Sequence, residues 1–203
     1  MKKPILLFQG DSNTDWNRVR EDYYDLGGGY VHLVQHAFPH VLVLNRGVSG
    51  DRTTELLARW HKDCLEIQPD YLSIFVGINE VWHKYIWNKP MTTRQFEENY
   101  RQLLELVKKE KPTTKMLLLS PFVFPIGDYN EQWMPDLIEE TRIVEELSKE
   151  YNTLFIHMQQ FMDSHLTMHS MQELTYDGVH PTPLGFDFIS KEIIQQIEKH
   201  WNL

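Results

Sequence analysis

The stretch Ile5-Leu6-Leu7-Phe8-Gln9-Gly10-Asp11-Ser12-Asn13-Thr14-Asp15 decides how the chain is read. Its apolar run stops at a Gly-Asp-Ser turn. Ile5 to Phe8 is short, continuous and bounded, as expected of a strand buried on both faces of a parallel sheet. Gly10 permits a sharp turn, so Ser12 stands just past the carboxyl end of that strand. Open α/β sheets bind their ligands at that edge. A serine there can act as a nucleophile if the chain also supplies a base and donors for an oxyanion.

Outward from this stretch the same pattern recurs. Val41 to Leu44 reads as a second buried strand, ending at Asn45-Arg46-Gly47-Val48-Ser49-Gly50-Asp51. Tyr71 to Val76 reads as a third, ending at Gly77-Ile78-Asn79-Glu80, with Met116 to Leu119 and Leu154 to His157 as the fourth and fifth. Helical spacing of apolar residues falls between them. It covers Tyr30 to Ala37, Thr53 to about Leu65, a long helix with Phe96, Tyr100, Leu103, Leu104 and Val107 on its buried face, and Asp136 to Tyr151. After a further helical stretch, a last helix carries the stripe Phe186, Ile189, Ile193, Ile197 and Trp201. Val81 to Thr93 reads as irregular and aromatic, and Pro121 to Pro135 as a loop. Alternating strands and helices predict one α/β domain of three layers, α/β/α, around a parallel sheet of about five strands.

Bulk properties narrow the function. A chain of 203 residues can bury a substantial core without staples. The net charge of −9, with no run of lysine and arginine, excludes nucleic acid and anionic membrane as expected partners. One cysteine, Cys64, forms no internal disulfide and suits a reducing compartment. Met1-Lys2-Lys3 followed by Ile5 to Phe8 imitates the start of a signal peptide, but the apolar run is too short and no small-residue cleavage site succeeds it. The expectation is a cytoplasmic protein.

Four polar clusters interrupt the alternation. Three follow strands, around Ser12, Gly50 and Asn79, and parallel strands bring those ends to one edge. The fourth, Asp177 and His180, precedes the last helix, which can pack back on that edge. A carboxylate three residues before a histidine can accept its Nδ1–H, fixing the tautomer that leaves Nε2 as a base. Pro181 and Pro183 stiffen the segment just after the histidine. This assigns Ser12 as nucleophile, His180 as base and Asp177 as its orienting partner. The backbone N–H groups of Ser12 and Gly50, with the side-chain amide of Asn79, are the candidate oxyanion donors.

Gly10-Asp11-Ser12, Gly50 within Ser49-Gly50-Asp51, Gly77-Ile78-Asn79 and Asp177-Gly178-Val179-His180 resemble the four ordered blocks of the SGNH, or GDSL-type, hydrolase superfamily. The blocks span nearly the whole chain. The resemblance implies a flavodoxin-like fold and metal-independent hydrolysis of esters, thioesters or O-acetyl groups, with no cofactor. Gly29-Tyr30, Asn45-Arg46-Gly47-Val48-Ser49-Gly50, Ala58-Arg59-Trp60, Ile78-Asn79-Glu80-Val81-Trp82 and Val179-His180-Pro181 look like the bacterial carbohydrate acetylesterase branch, notably intracellular acetylxylan esterases, whose members are often oligomeric. The implied partner is a small acyl ester, with a homo-oligomer as a further expectation. The third block usually reads Gly-x-Asn-Asp; here Glu80 replaces the aspartate. Asp11, Glu80 and Trp82 are the candidate substrate contacts.

Other residues admit two readings. Trp82, Tyr85 and Trp87, with Phe122, Phe124 and Trp133, form either a sugar-stacking surface or core and subunit interface. Arg52 and Arg59 either touch substrate or are paired. His32 and His36, like His165 and His169, have the spacing of two helical metal ligands, but each pair lacks the glutamate of H-E-x-x-H and a third ligand. Gly27 to Gly29 fits no phosphate-binding pattern and is expected to form a loop beside the active site. On the same triad the alternatives are a lysophospholipase or a thioesterase; outside it, a catalytically idle carbohydrate-binding protein.

Overall fold

Successive side chains of the first strand point to opposite faces of the sheet, and both faces are covered. The computed structural model describes residues 3–201 and 203. Its sheet contains β1 (Ile5–Gly10), β2 (Leu42–Asn45), β3 (Tyr71–Phe75), β4 (Lys115–Leu119) and β5 (Leu154–Ile156), all parallel, in the order β2-β1-β3-β4-β5. Leu6 and Phe8 pack under α2 (Tyr30–Ala37), α7 (Met158–Ser164) and α9 (Pro183–His200). Ile5 and Leu7 pack under α3 (Thr53–Trp60), α5 (Thr93–Glu110) and α6 (Trp133–Glu150). Each large aliphatic side chain so enclosed contributes roughly 1.5–3 kcal/mol. The expected three-layer α/β/α architecture with a flavodoxin-like parallel sheet is therefore present.

The strand order fixes where a ligand can sit. From β1 the chain moves outward to β2, then returns across β1 to β3 and continues the other way. The reversal opens a crevice beyond the carboxyl ends of β1 and β3. Gly10 pairs opposite Phe75, so those two strands end level with one another. The segments carrying Ser12 and Asn79 leave the sheet side by side.

Three elements differ from the sequence expectation. Residues from Val81 onward do not form an irregular segment at first: α4 spans Ile78–Ile86. Ile78, Val81, Trp82 and Tyr85 recur at helical spacing and meet Val123, Trp133, Leu137 and Val179 in a separate apolar cluster. That cluster joins α4, α6 and the two loops at the carboxyl edge. The helix beginning at Thr53 reaches Leu65 as expected, but widens into a π turn over His61–Leu65. α6 begins at Trp133 rather than after Pro135, because a proline in the first turn lacks an N–H that would have no intrahelical partner there. The remaining helical stretch resolves into α7, a 3-10 turn at His165–Thr167 and α8 (Met171–Leu174). Among the described residues no helix is long and apolar enough to cross a membrane.

Candidate active site

The nucleophile turn is built by close approach. A Cβ on Gly10 would lie 2.3 Å from both the Phe75 carbonyl oxygen and Thr14 Oγ1, so no other residue fits there. Asp11 then caps α1 (Ser12–Asp15), its Oδ1 accepting from the Asn13 N–H at 3.0 Å. Asn45 Nδ2 holds the far end of this turn, donating to the Thr14 and Leu26 carbonyls at 2.6 and 2.8 Å. Ser12 is thereby fixed at the mouth of the crevice.

The candidate base comes from the other end of the chain. Ser12 Oγ lies 2.9 Å from His180 Nε2, and His180 Nδ1 lies 2.6 Å from Asp177 Oδ2. The backbone N–H groups of Val179 and His180 donate to Asp177 Oδ1 at 3.0 and 2.8 Å. With Asp177 ionised and accepting, Nδ1 carries the proton and Nε2 is free to receive the one donated by Ser12. Burial opposes ionisation of Asp177, but the hydrogen bonds from His180 and Val179 outweigh it and hold the carboxyl below its ordinary range. Burial likewise disfavours the imidazolium, but the hydrogen bond and charge of Asp177, with the charge of Asp11, raise the His180 pKa. The loop carrying this pair is pinned by a Thr175–Pro181 bridge and by the Tyr176 N–H donating to the His180 carbonyl at 2.8 Å.

The three candidate oxyanion donors converge on the same edge. Among the described residues the backbone N–H groups of Ser12 and Gly50 have no protein acceptor. Gly50 sits at φ 85° with no atom within 4 Å of a would-be Cβ, so backbone conformation rather than space requires glycine. Asn79 Nδ2 donates one hydrogen to the Asp51 carbonyl at 3.0 Å, which leaves its second for a ligand. Ser49, the neighbouring hydroxyl, donates to Asp15 Oδ2 at 2.7 Å and faces no histidine.

Two candidate substrate contacts are corrected. Asp11 and Glu80 are 1% and 2% exposed, and their carboxyls accept from backbone N–H groups rather than facing the crevice. Burial pushes Asp11 up to about 7. Burial also raises Glu80, which accepts from the Thr53 N–H at 2.6 Å through Oε1, while its Oε2 has no partner among the described residues. Glu140, equally enclosed, is raised by burial and by the nearby Glu80 charge.

Trp82, the third candidate contact, does reach the site. Its ring lies 5.8 Å from the His180 imidazole and 5.5 Å from the Trp133 ring. Phe122, Phe124 and Trp133 are core residues, whereas Trp87 is 53% exposed on the surface. The sequence reading missed Trp16. Its ring is 6.3 Å from His180 and stacks on Tyr176 at 6.1 Å, so two indoles, Trp16 and Trp82, lie near the imidazole. The only signal was its position one helical turn past Ser12. The Gly27–Gly29 loop packs on Trp16, Gly28 N–H donating to the Trp16 carbonyl at 3.1 Å. The 121–132 loop touches the triad loop where the Phe124 N–H donates to the Gly178 carbonyl at 2.8 Å.

Both arginines in question are paired. Arg59 binds Asp51 Oδ2 at 2.6 Å, Gln9 Oε1 at 2.8 Å and the Gly10 carbonyl at 3.3 Å, joining the nucleophile strand to the Gly50 loop. Arg52 pairs with Glu55 at 2.7 Å at the start of α3. His32 and His36 meet edge to face with their Nε2 atoms 3.3 Å apart, and His165 and His169 both lie against Phe188. Among the described residues no group of three His, Cys, Asp or Glu side chains could hold a metal ion.

Comparison with known proteins shows the family to which the chain belongs. The GDSL-like lipase/acylhydrolase family matches residues 8–188. An acetylxylan esterase of Geobacillus stearothermophilus is 31% identical over 97% of this chain and 94% of its own length. The crystal structure of that organism's acetylxylan esterase Axe2 superposes with a TM-score of 0.85 at 30% identity, covering 97% of this chain and 96% of the other. Its solved forms include catalytic mutants at a serine, an aspartate and a histidine, the aspartate three positions before the histidine. A crystal structure described as a GDSL-like lipase, from Parabacteroides merdae, superposes with a TM-score of 0.91 at 32% identity, covering 96% and 95%. The chain belongs to the GDSL-like lipase/acylhydrolase family and is an ester hydrolase.

Proposed function

We propose that this hydrolase removes short acyl groups, above all O-acetyl groups, from small carbohydrates through a Ser12–His180–Asp177 triad. The 2.9 Å approach of Ser12 Oγ to His180 Nε2, with Asp177 behind it at 2.6 Å, carries the catalytic reading. The likeness to an acetylxylan esterase over nearly the full length of both chains supports acetylated sugar as the substrate.

Ser12 Oγ attacks the ester carbonyl carbon while its proton passes to His180 Nε2. The carbonyl electrons move to oxygen, and the oxyanion is held by the N–H groups of Ser12 and Gly50 and by the Asn79 amide. Removing one such donor typically costs about 10²–10³ in kcat. His180 then protonates the departing sugar oxygen, the C–O bond breaks and the acyl group stays on Ser12. Water, deprotonated by His180, attacks that ester. The second tetrahedral intermediate collapses to release acetate and return the proton to Ser12 Oγ. The single free cysteine, buried Cys64, supports a reducing cytoplasmic location.

The test is hydrolysis of nitrophenyl esters from acetate to laurate, then of acetylated xylo-oligosaccharides, with wild type and Ser12→Ala in parallel. Activity concentrated on acetate, extended to the acetylated sugars and lost in the variant supports the proposal. A preference for long chains replaces it with a lysophospholipase or thioesterase reading. Undiminished turnover by Ser12→Ala ends the triad assignment.

A further inference from the structure

An open cleft of about 500 Å³ has four cationic side chains in its wall, along with the acids Asp63 and Glu66. Arg18, Arg20, Arg46 and Lys62 line it. Arg20 is committed to Asp15, 2.6 Å away, but among the described residues neither Arg46 nor Lys62 has a carboxylate within ion-pairing distance. Arg46 is only 6% exposed, an unusual position for an arginine without an acidic partner.

The guanidinium groups are held but not saturated. Arg46 Nη1 donates to the Tyr23 and Asn45 carbonyls at 3.1 and 2.6 Å, and its guanidinium lies 4.0 Å above the Tyr23 ring centre. Its Nη2 has no partner among the described residues. The Arg18 side chain is 5% exposed and donates through Nη2 to the Gly47 carbonyl at 3.1 Å. Its Nε has no hydrogen-bond acceptor, the nearest carboxylate oxygen, Asp15 Oδ1, being 4.0 Å away. Burial, and then the neighbouring guanidinium groups of Arg46, Arg20 and Arg59, lower the Arg18 pKa despite Asp15. Two buried guanidinium groups with unmet donors, prepositioned by backbone and aromatic contacts, suit a planar or tetrahedral oxyanion.

We infer that this cleft is a binding site for the phosphate or carboxylate group of a small anionic molecule, gripped by Arg18 and Arg46 with Lys62 at the rim. The rest of the wall includes the Tyr23 ring, one face of which Arg46 covers, and Asp63, which pairs with Arg59 at 3.3 Å and keeps acceptor capacity for hydroxyl hydrogens. The cleft also touches the catalytic framework. Val48 lines it two residues before Gly50, and Arg18 holds the Gly47 carbonyl of the same segment. The inference does not depend on the acetyl-carbohydrate reading.

Isothermal titration calorimetry on Ser12→Ala protein separates binding from turnover. The probes are inorganic phosphate, glucuronate as the carboxylate arm, and glucose as the neutral control. The expected result is saturable binding of phosphate, glucuronate or both, with none for glucose; which anion binds names the group recognised. Arg46→Gln should weaken that binding roughly ten- to hundredfold, the worth of a charge-assisted hydrogen bond. Should Arg46→Gln fail to fold by its melting curve, Lys62→Glu on the exposed rim alone decides, and should weaken binding by about tenfold through like-charge repulsion. Absence of saturable anion binding, equal binding of glucose, or an affinity indifferent to a folded variant overturns the inference.

Discussion

Glu80 accepts a hydrogen bond from the Thr53 N–H at 2.6 Å, while its chain neighbour Asn79 donates to the Asp51 carbonyl at 3.0 Å. Two consecutive residues after β3 thus tie down the segment that begins with Gly50. The glutamate side chain is long enough to reach from α4 to the start of α3. Removing the carboxyl in Glu80→Ala should loosen Gly50 against Asn79. The expected effect is a fall in kcat of about tenfold or more, less than the 10²–10³ of losing a donor outright, with KM little changed. Glu80→Gln keeps an acceptor for Thr53 and should retain most of the activity. Equal losses in both variants, tracking their melting temperatures, would refute a positioning role.

Asn79→Ala removes a donor directly. It should lower kcat by about 10²–10³ and leave the secondary structure by circular dichroism unchanged. A variant with near-native kcat removes Asn79 from the oxyanion assignment.

On the proposed mechanism, the acid limb of the pH–rate profile belongs to His180. Catalysis needs the neutral imidazole, and His180 is raised, so kcat/KM should climb with pH through a midpoint above the ordinary histidine value of about 6.5. Asp177→Asn withdraws both the hydrogen bond and the charge. It should move that midpoint to lower pH while cutting kcat by about 10⁴, because the wrong tautomer then faces Ser12. Initial rates across pH in both proteins check the sign.

Buried Glu80 makes stability depend on pH in the opposite sense from a salt-bridged carboxylate. Its folded pKa is raised by burial, so the folded state holds a proton that the unfolded chain releases above about 4.3. This contribution therefore falls as pH rises from the ordinary glutamate value to the raised folded one, then levels. Glu80→Gln has no proton to lose. Its melting temperature should gain on wild type steadily from mildly acid to mildly alkaline buffer, and a constant difference would exclude a buried protonated acid.

Trp82 lies between the His180 ring and the Trp133 core contact. Trp82→Ala should raise KM for acetylated oligosaccharides by roughly tenfold, since stacking on an indole contributes about 0.5–1.5 kcal/mol beyond simple burial. Nitrophenyl acetate, with no sugar to stack, should be hydrolysed with nearly unchanged kcat/KM.

The sequence by itself determined the sheet and most of its helices, and it nominated Ser12, Asp177 and His180 as the candidate triad. Apolar periodicity and glycine turns are local properties, and parallel strands put their ends on one edge. The ordered blocks added the assignment of Gly50 and Asn79. Tertiary structure alone decided what surrounds them. The sequence could not show that Asp11 and Glu80 turn inward, because a carboxyl next to a nucleophile reads the same whether buried or exposed. It could not bring Trp16 beside His180, residues separated by most of the chain, nor enclose Arg18 and Arg46 in one cleft. Helix α4 was legible in principle, because Ile78, Val81, Trp82 and Tyr85 recur at helical spacing; tertiary structure decided only that Trp133 and Val179 cover that face. Local pattern specifies elements, whereas burial and electrostatic environment are set by partners distant in sequence.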